Sequence, residues 1–232
     1  VLASYVQMAT EEGTTQAIFP EGGLSLDGRV GPAKVGLLSY IVEGFDPAGR
    51  DVVFVPVGLA YDRVLEDRVL VEAASSGTRR FRNRTVLAAW RLGRYLFARL
   101  IGRRKGFGTA AAGFGAPVSL RAFLAQGGNV EGLGVRLMAA IAEVVPVLPV
   151  PLVAKALGDG AASRDELRGR VELLVARLTA AGAVLKLPPQ GLDMALEEGL
   201  APLIARGLVT EALQPVASER PLLQFYAAAI PE

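Results

Sequence analysis

Glu21, Gly22, Gly23, Ser25, Arg29 and Lys34 crowd one short stretch, Phe19-Pro20-Glu21-Gly22-Gly23-Leu24-Ser25-Leu26-Asp27-Gly28-Arg29 followed by Pro32, Lys34 and Gly36. Glycines allow a backbone to approach a bound group closely. Arginine and lysine supply charge and donors suited to a phosphate. A carboxylate accepts hydrogen bonds from hydroxyl groups. The chemistry on offer is recognition of an anion, a phosphate above all. The competing reading is an ordinary strand-to-helix turn with solvated loop charges, and Glu21 as a cap on a helix end. The chain has no histidine and no cysteine. That excludes imidazole acid–base chemistry, disulfides and thiolate ligands, and leaves a zinc site only carboxylates. No metal and no cofactor is expected.

The elements that must position this stretch are legible in outline. Val1 to Glu12 reads as the end of a helix and Thr15 to Phe19 as a strand. The carboxyl end of such a strand is where α/β proteins bind ligands. Lys34 to Val42 reads as helical. Asp51 to Tyr61 begins as a second strand, whose near-continuous Val/Phe run suggests burial on both faces, as in parallel sheets. Pro56 interrupts it, and a proline there either contributes to a site or only ends the strand. Thr109 to Phe114 reads as a further strand and Leu120 to Leu124 as a short helix. This alternation fits part of a layered α/β domain over residues 1–130.

From about Glu131 the texture becomes helical. Leu133 to Val144 has helical spacing, which the Pro146–Pro151 run breaks. Ser163-Arg164-Asp165-Glu166 is a capping box opening a helix to about Ala181. Leu192 to Gly207 is another helix, ending at a glycine. Leu208 to Ala217 reads as a short hairpin and Glu219 to Ala229 as a last helix. Helices followed by a hairpin suggest a winged-helix-like domain over 131–232, as opposed to a plain helical packing domain. Its charge is net acidic, which argues against nucleic acid as a partner.

Apolar residues make up 51% of the 232 residues, above the usual share for a soluble protein. No uninterrupted apolar window is long enough for a membrane span, and no signal peptide is visible. The net charge of +2 hides an asymmetry. Between Glu72 and Glu131 there are 11 basic residues and no acidic one, whereas the other 14 basic residues face all 23 acidic ones. At about 100° per residue, Val86, Trp90, Phe97 and Leu100 fall on one side of a helix over 84–104. Arg84, Arg91, Arg94, Arg99 and Arg103 fall on the other. This is the pattern of a helix lying in a membrane interface, bound to anionic lipid. The alternative is an amphipathic helix packed on the protein's own core.

The exact string around Glu21 closely resembles the FPEG-x-S-x-x-GR…PK-x-G block of the glycerolipid acyltransferase family. Val52 to Asp62, with its terminal Pro56 and Tyr61-Asp62, resembles the family's next block. Phe114-Gly115-Ala116-Pro117 resembles a later strand end. Pro146 to Ala154 and Leu222 to Tyr226 resemble the helical extension of bacterial membrane-bound glycerol-3-phosphate acyltransferases. The resemblance implies acyl transfer from acyl-CoA or acyl-carrier protein to the sn-1 hydroxyl of glycerol-3-phosphate. It places Glu21, Gly22, Gly23 and Ser25 in the glycerol-3-phosphate pocket. It associates Pro56 with the acyl donor. It also implies a peripheral location on the cytoplasmic face of the cell membrane. In the family a histidine in an H-x-x-x-x-D motif upstream of this block takes the hydroxyl proton, and no residue here matches it. The expectation is a piece of a longer enzyme, inactive in isolation, or else a natural relic. Leu24 and Leu26 stand where relatives frequently carry arginine. That leaves a lysophospholipid or dihydroxyacetone phosphate open as acceptor. A non-catalytic membrane-associated scaffold is the reading from a different class.

Overall fold

The computed structural model of the chain describes residues 1–76, 108–158 and 160–231. Helix α1 (Leu2–Glu11) packs beside α2 (Gly36–Glu43). Strands β1 (Val53–Phe54) and β2 (Val57–Tyr61) lead into α3 (Asp67–Ser76). After residue 107 come β3 (Ala110–Phe114), β4 (Val118–Ser119), α4 (Leu120–Ala125) and α5 (Val130–Glu143). The helical part comprises α6 (Pro149–Leu157), α7 (Arg164–Ala180), α8 (Leu192–Ala205), a 3-10 turn at Ala217–Glu219 and α9 (Arg220–Ala227). Helices with a few short strands make this a mixed α and β fold.

Two expectations from the sequence are corrected here. Thr15 to Phe19 joins no ladder and has no neighbouring strand among the described residues. The ladders are also antiparallel. β1 pairs with β4 from Val53↔Ser119 to Phe54↔Val118, and β2 with β3 from Val57↔Phe114 to Tyr61↔Ala110. The Val/Phe run is therefore not buried on both faces: Val53, Val55, Val57, Leu59 and Tyr61 alternate outward and are exposed. Pro56 and Pro117 explain why one pair of segments splits into two ladders. Proline lacks the N–H a ladder needs. A single bond from Gly115 N–H to the Pro56 carbonyl (2.9 Å) spans the step.

The inner face of β2 and β3 carries a second device. Gly58 and Gly113 are directly opposite each other. A Cβ on Gly113 would stand 1.9 Å from the Val144 carbonyl oxygen, and one on Gly58 2.6 Å from the Val145 nitrogen. The chain leaving α5 thus rests on a spot that two glycines keep bare. Asp62, buried just past β2, continues this seam. Its carboxylate accepts the Thr109 N–H (2.9 Å) and the Val150 N–H (3.0 Å) in the first turn of α6, where unpaired donors need a partner.

Two apolar clusters result. The smaller gathers Val6, Leu38, Ile41, Val118, Leu120, Leu133 and Leu137 from α1, α2, β4, α4 and α5. The larger is centred on α6 and takes in buried residues of α7, α8 and α9, with Leu70 of α3. The proline run does end α5, but it also begins α6, which the sequence pattern did not disclose. Pro149 occupies the first turn, where no N–H is required. The capping box is formed in part: Ser163 Oγ accepts the Glu166 N–H (3.1 Å), while the Glu166 carboxylate reaches one residue further, to the Ala162 N–H (2.7 Å). The expected hairpin at 208–217 is a single antiparallel bridge, Val209↔Pro215, closed by Thr210 N–H to Gln214 carbonyl at 2.9 Å.

Candidate functional site

Residues 19–34 form a loop between α1 and α2 that is closed by its own hydrogen bonds. Gly22 N–H donates to the Phe19 carbonyl (2.9 Å) in a tight turn, with Gly22 at φ +64°. Lys34 N–H donates to the Pro20 carbonyl at 2.7 Å and shuts the neck. Across the loop, Glu21 Oε1 accepts the Gly31 N–H at 2.6 Å. A second turn follows: Ser25 Oγ donates to the Arg29 carbonyl (2.8 Å) and accepts the Gly28 N–H (3.0 Å), and Asp27 Oδ1 accepts the Arg29 N–H (3.0 Å).

Two glycines show why this chain can fold so. A Cβ on Gly22 would lie 2.8 Å from Lys34 Cδ and 3.2 Å from Lys34 Nζ. The lysine therefore lies across bare backbone. Gly28 has φ +86°, and a Cβ there would stand 1.9 Å from the Phe225 carbonyl oxygen. The loop thus seats directly on α9, and Leu26 packs against the larger cluster beside it.

The structure brings Glu21, Gly22 and Lys34 together at the neck of the loop, with Gly23 exposed beside them. Ser25 and Arg29 are joined in the adjoining turn. Pro56 is buried, and its described contacts run to Gly115 rather than to the loop. The arrangement offers an exposed ammonium over glycine backbone, a setting for an anion. Its two carboxylates, Glu21 and Asp27, each already accept a backbone N–H. Among the described residues no group of three or more acidic side chains could hold a metal ion. Arg84, Trp90, Arg91, Arg94, Phe97, Arg99 and Arg103, the expected membrane contacts, lie outside the described residues. No described helix is long and apolar enough to cross a membrane.

One polar constellation went unnoticed in the sequence. Asp67, the first residue of α3, is 3% exposed. Its Oδ2 accepts from Arg206 Nη2 (2.6 Å) and from the Tyr226 hydroxyl (2.5 Å). Tyr226 OH in turn accepts from Arg206 Nη1 (2.9 Å) and from the Val64 N–H (3.3 Å). Burial, reinforced by the bond to Asp67, pushes the Tyr226 phenol up to about 12. The cluster ties the start of α3 to the ends of α8 and α9 beneath the loop's seat on Phe225. Each member is bland in sequence: an acid opening a helix, a cation closing one, an aromatic in an apolar run.

Comparison with known proteins falls on this same chain. Residues 96–228 match the family model described as the glycerol-3-phosphate acyltransferase C-terminal region. The glycerol-3-phosphate acyltransferase of Alteromonas mediterranea is 29% identical over 126 residues, 53% of this chain and 14% of that protein. The proteins of the same name from Pseudomonas fluorescens (29% over 127 residues) and Ectopseudomonas mendocina (30% over 127 residues) each cover 54% of the chain and 14% of their own length. The chain thus spans about 14% of the length of the curated relatives it matches. The loop at 19–34 and Pro56 precede the family-matched residues.

Proposed function

We propose a function from one premise: the chain belongs to the family of the glycerol-3-phosphate acyltransferase C-terminal region. The protein that carries these residues transfers a fatty acyl group from acyl-CoA or acyl-carrier protein to the sn-1 hydroxyl of glycerol-3-phosphate, a step in phospholipid synthesis. The hydroxyl oxygen attacks the thioester carbonyl carbon, the sulfur leaves as thiolate, and the hydroxyl proton passes to a base. This chain contains no histidine, so that base is supplied by residues other than these 232 and the chain alone does not turn over.

The chain's own contribution is acceptor binding. Lys34 and Arg29 take the phosphate by charge-assisted hydrogen bonds. Gly22 and Gly23 let it approach the backbone. Glu21 accepts from a glycerol hydroxyl while holding Gly31, and Ser25 keeps the second turn in shape. Pro56 shapes the side towards the acyl donor. Residues 1–130 act as part of a layered acyltransferase domain, and residues 131–232 as a helical accessory domain whose bridge at Val209↔Pro215 is its winged-helix-like element. The protein is peripheral on the cytoplasmic face of the cell membrane, held there by the arginine-rich interval. The observation that carries the reading is Lys34 laid over the Gly22 backbone at the neck of a loop closed by Glu21.

Calorimetric titration of the chain tests acceptor binding. Glycerol-3-phosphate is expected to bind and glycerol to bind at least roughly tenfold more weakly, a difference of about 1.4 kcal/mol. Equal affinity for the two removes the phosphate role. Sedimentation tests the membrane role. The chain is expected to pellet with anionic vesicles, to be released by salt and to leave neutral vesicles alone. Equal recovery with both vesicle types contradicts it.

A further inference from the structure

A groove of about 310 Å³ runs between the break in the two ladders and one face of α5. Gly115, Ala116, Pro117 and Val118 form its first wall. Arg136, Ala139, Ala140 and Glu143 form the second, at the three- and four-residue spacing that aligns side chains on one helix face. The first wall offers main-chain groups. Gly115 N–H donates to the Pro56 carbonyl (2.9 Å), but Pro56 has no N–H to return a bond to the Gly115 carbonyl. Ala116 N–H bonds to no backbone carbonyl among the described residues. The second wall offers charge of both signs. Arg136 and Glu143 are exposed and stand two helical turns apart, about 10 Å along the axis. Among the described residues Arg136 touches the Phe123 ring, 5.9 Å from its centroid, and makes no ion pair, while Glu143 makes neither an ion pair nor a hydrogen bond. Between them the small Ala139 and Ala140 leave the floor open.

We propose that this groove receives an extended segment of a partner protein that carries an acidic and a basic residue two positions apart. Residues so spaced lie on the same face of an extended chain, about 7 Å apart, and their long side chains cover the remaining few Å to Arg136 and Glu143. The acid pairs with Arg136 and the base with Glu143. Small residues of the segment cross Ala139 and Ala140. Its main chain bonds to the Gly115 carbonyl and the Ala116 N–H, as when a strand adds to a sheet. Charge complementarity selects this occupant. A nucleic acid or an anionic lipid surface would satisfy Arg136 and be repelled by Glu143. The site uses no residue of the 19–34 loop and stands independently of the function proposed above.

Residue-resolved NMR titration of the chain with three blocked peptides, AEAKA, AEAEA and AKAKA, tests the site. Saturable shifts are expected at the Ala116, Ala139, Ala140 and Glu143 amides with AEAKA. The two like-charged peptides each lose one attraction and gain a repulsion, and are expected to bind at least roughly tenfold more weakly. Arg136→Met and Glu143→Gln, both at exposed positions, are each expected to weaken AEAKA up to about fivefold, as for an exposed ion pair, with the rest of the spectrum unmoved. 6-Aminohexanoate carries both charges without a peptide backbone and is expected to bind more weakly than AEAKA. Equal affinity for the three peptides, equal affinity for 6-aminohexanoate, or shifts that bypass the groove overturn the proposal. So does dimerisation of the chain through this face, read by sedimentation equilibrium as a concentration-dependent mass that Glu143→Gln lowers, because the occupant would then be a second copy.

Discussion

Strand β2 and helix α6 are built from similarly apolar residues, yet they meet water in different ways. Along β2, Val57, Leu59 and Tyr61 face outward and are exposed, and Phe114, opposite Val57, is 71% exposed. In α6 every residue but Lys155 and Ala156 is buried. The contrast extends to the whole chain. Among the described residues, 15 of the 18 exposed large apolar side chains lie at or before Val69 or at Phe114. Only Val135, Leu173 and Met194 lie beyond it. The α6-centred part closes its own core; the part that carries the loop and the ladders presents apolar surface outward. A contiguous exposed apolar face marks a contact surface. The candidate acceptor loop thus belongs to the open part of the molecule and is seated on the closed part through Gly28 and Phe225.

The seam between the two parts is where the contrast is easiest to break. Asp67→Ala has the largest expected effect. It leaves the half-buried Arg206 guanidinium without its charge partner and the Tyr226 hydroxyl without its acceptor, a loss of up to about 3–5 kcal/mol, read from the midpoint of chemical denaturation. A loss under about 1 kcal/mol would mean that α3 is not fastened through this carboxylate. Gly113→Ala comes next. Its methyl would press on the Val144 carbonyl, and overpacking of this kind costs about 1–3 kcal/mol. The expected change is unfolding of the ladder at lower denaturant, with the α6-centred core last to open in hydrogen exchange. Uniform loss of protection would show that the two parts share one cooperative unit.

Alkaline pH gives the smallest and most selective probe of the seam. The Tyr226 phenol is raised from 10.0 to about 12 in the folded chain. The protonated form is thus favoured by folding. The stability this brings is whole below about pH 10 and is lost as pH rises through about 12. Tyr226→Phe is expected to flatten the pH dependence of the denaturation midpoint across that window. An identical slope in both proteins would place the alkaline sensitivity elsewhere.

Local rules carried the sequence reading a long way in the helical part. Ser163 with Glu166, the apolar spacing of α5 and Gly207 after α8 each determine structure within a few residues, so they are readable one segment at a time. The ladders were misjudged because β-branched runs report burial tendency and not strand direction. The split into two ladders follows Pro56 and Pro117, and the packing of their inner face a glycine pair, Gly58 and Gly113, distant in sequence. Helix α6 was hidden because prolines that end one helix also suit the first turn of the next. At the candidate site, the residues Glu21, Gly22 and Lys34 could be picked out in advance, but their closure could not. The Glu21 bond to Gly31 and the seat of Gly28 on Phe225 are tertiary choices. The Asp67–Arg206–Tyr226 cluster had no sequence signature at all, since its members stand far apart and carry individually ordinary roles.

The central claim is that the neck of the 19–34 loop receives the phosphate of the acyl acceptor. Its most direct test is the amide NMR spectrum of the chain during titration with glycerol-3-phosphate, repeated on Lys34→Met. Saturable shifts at Gly22, Gly23 and Lys34, weakened roughly tenfold by the substitution, are the expected result. Shifts that bypass those amides, or that saturate at the same concentration in both proteins, would contradict it.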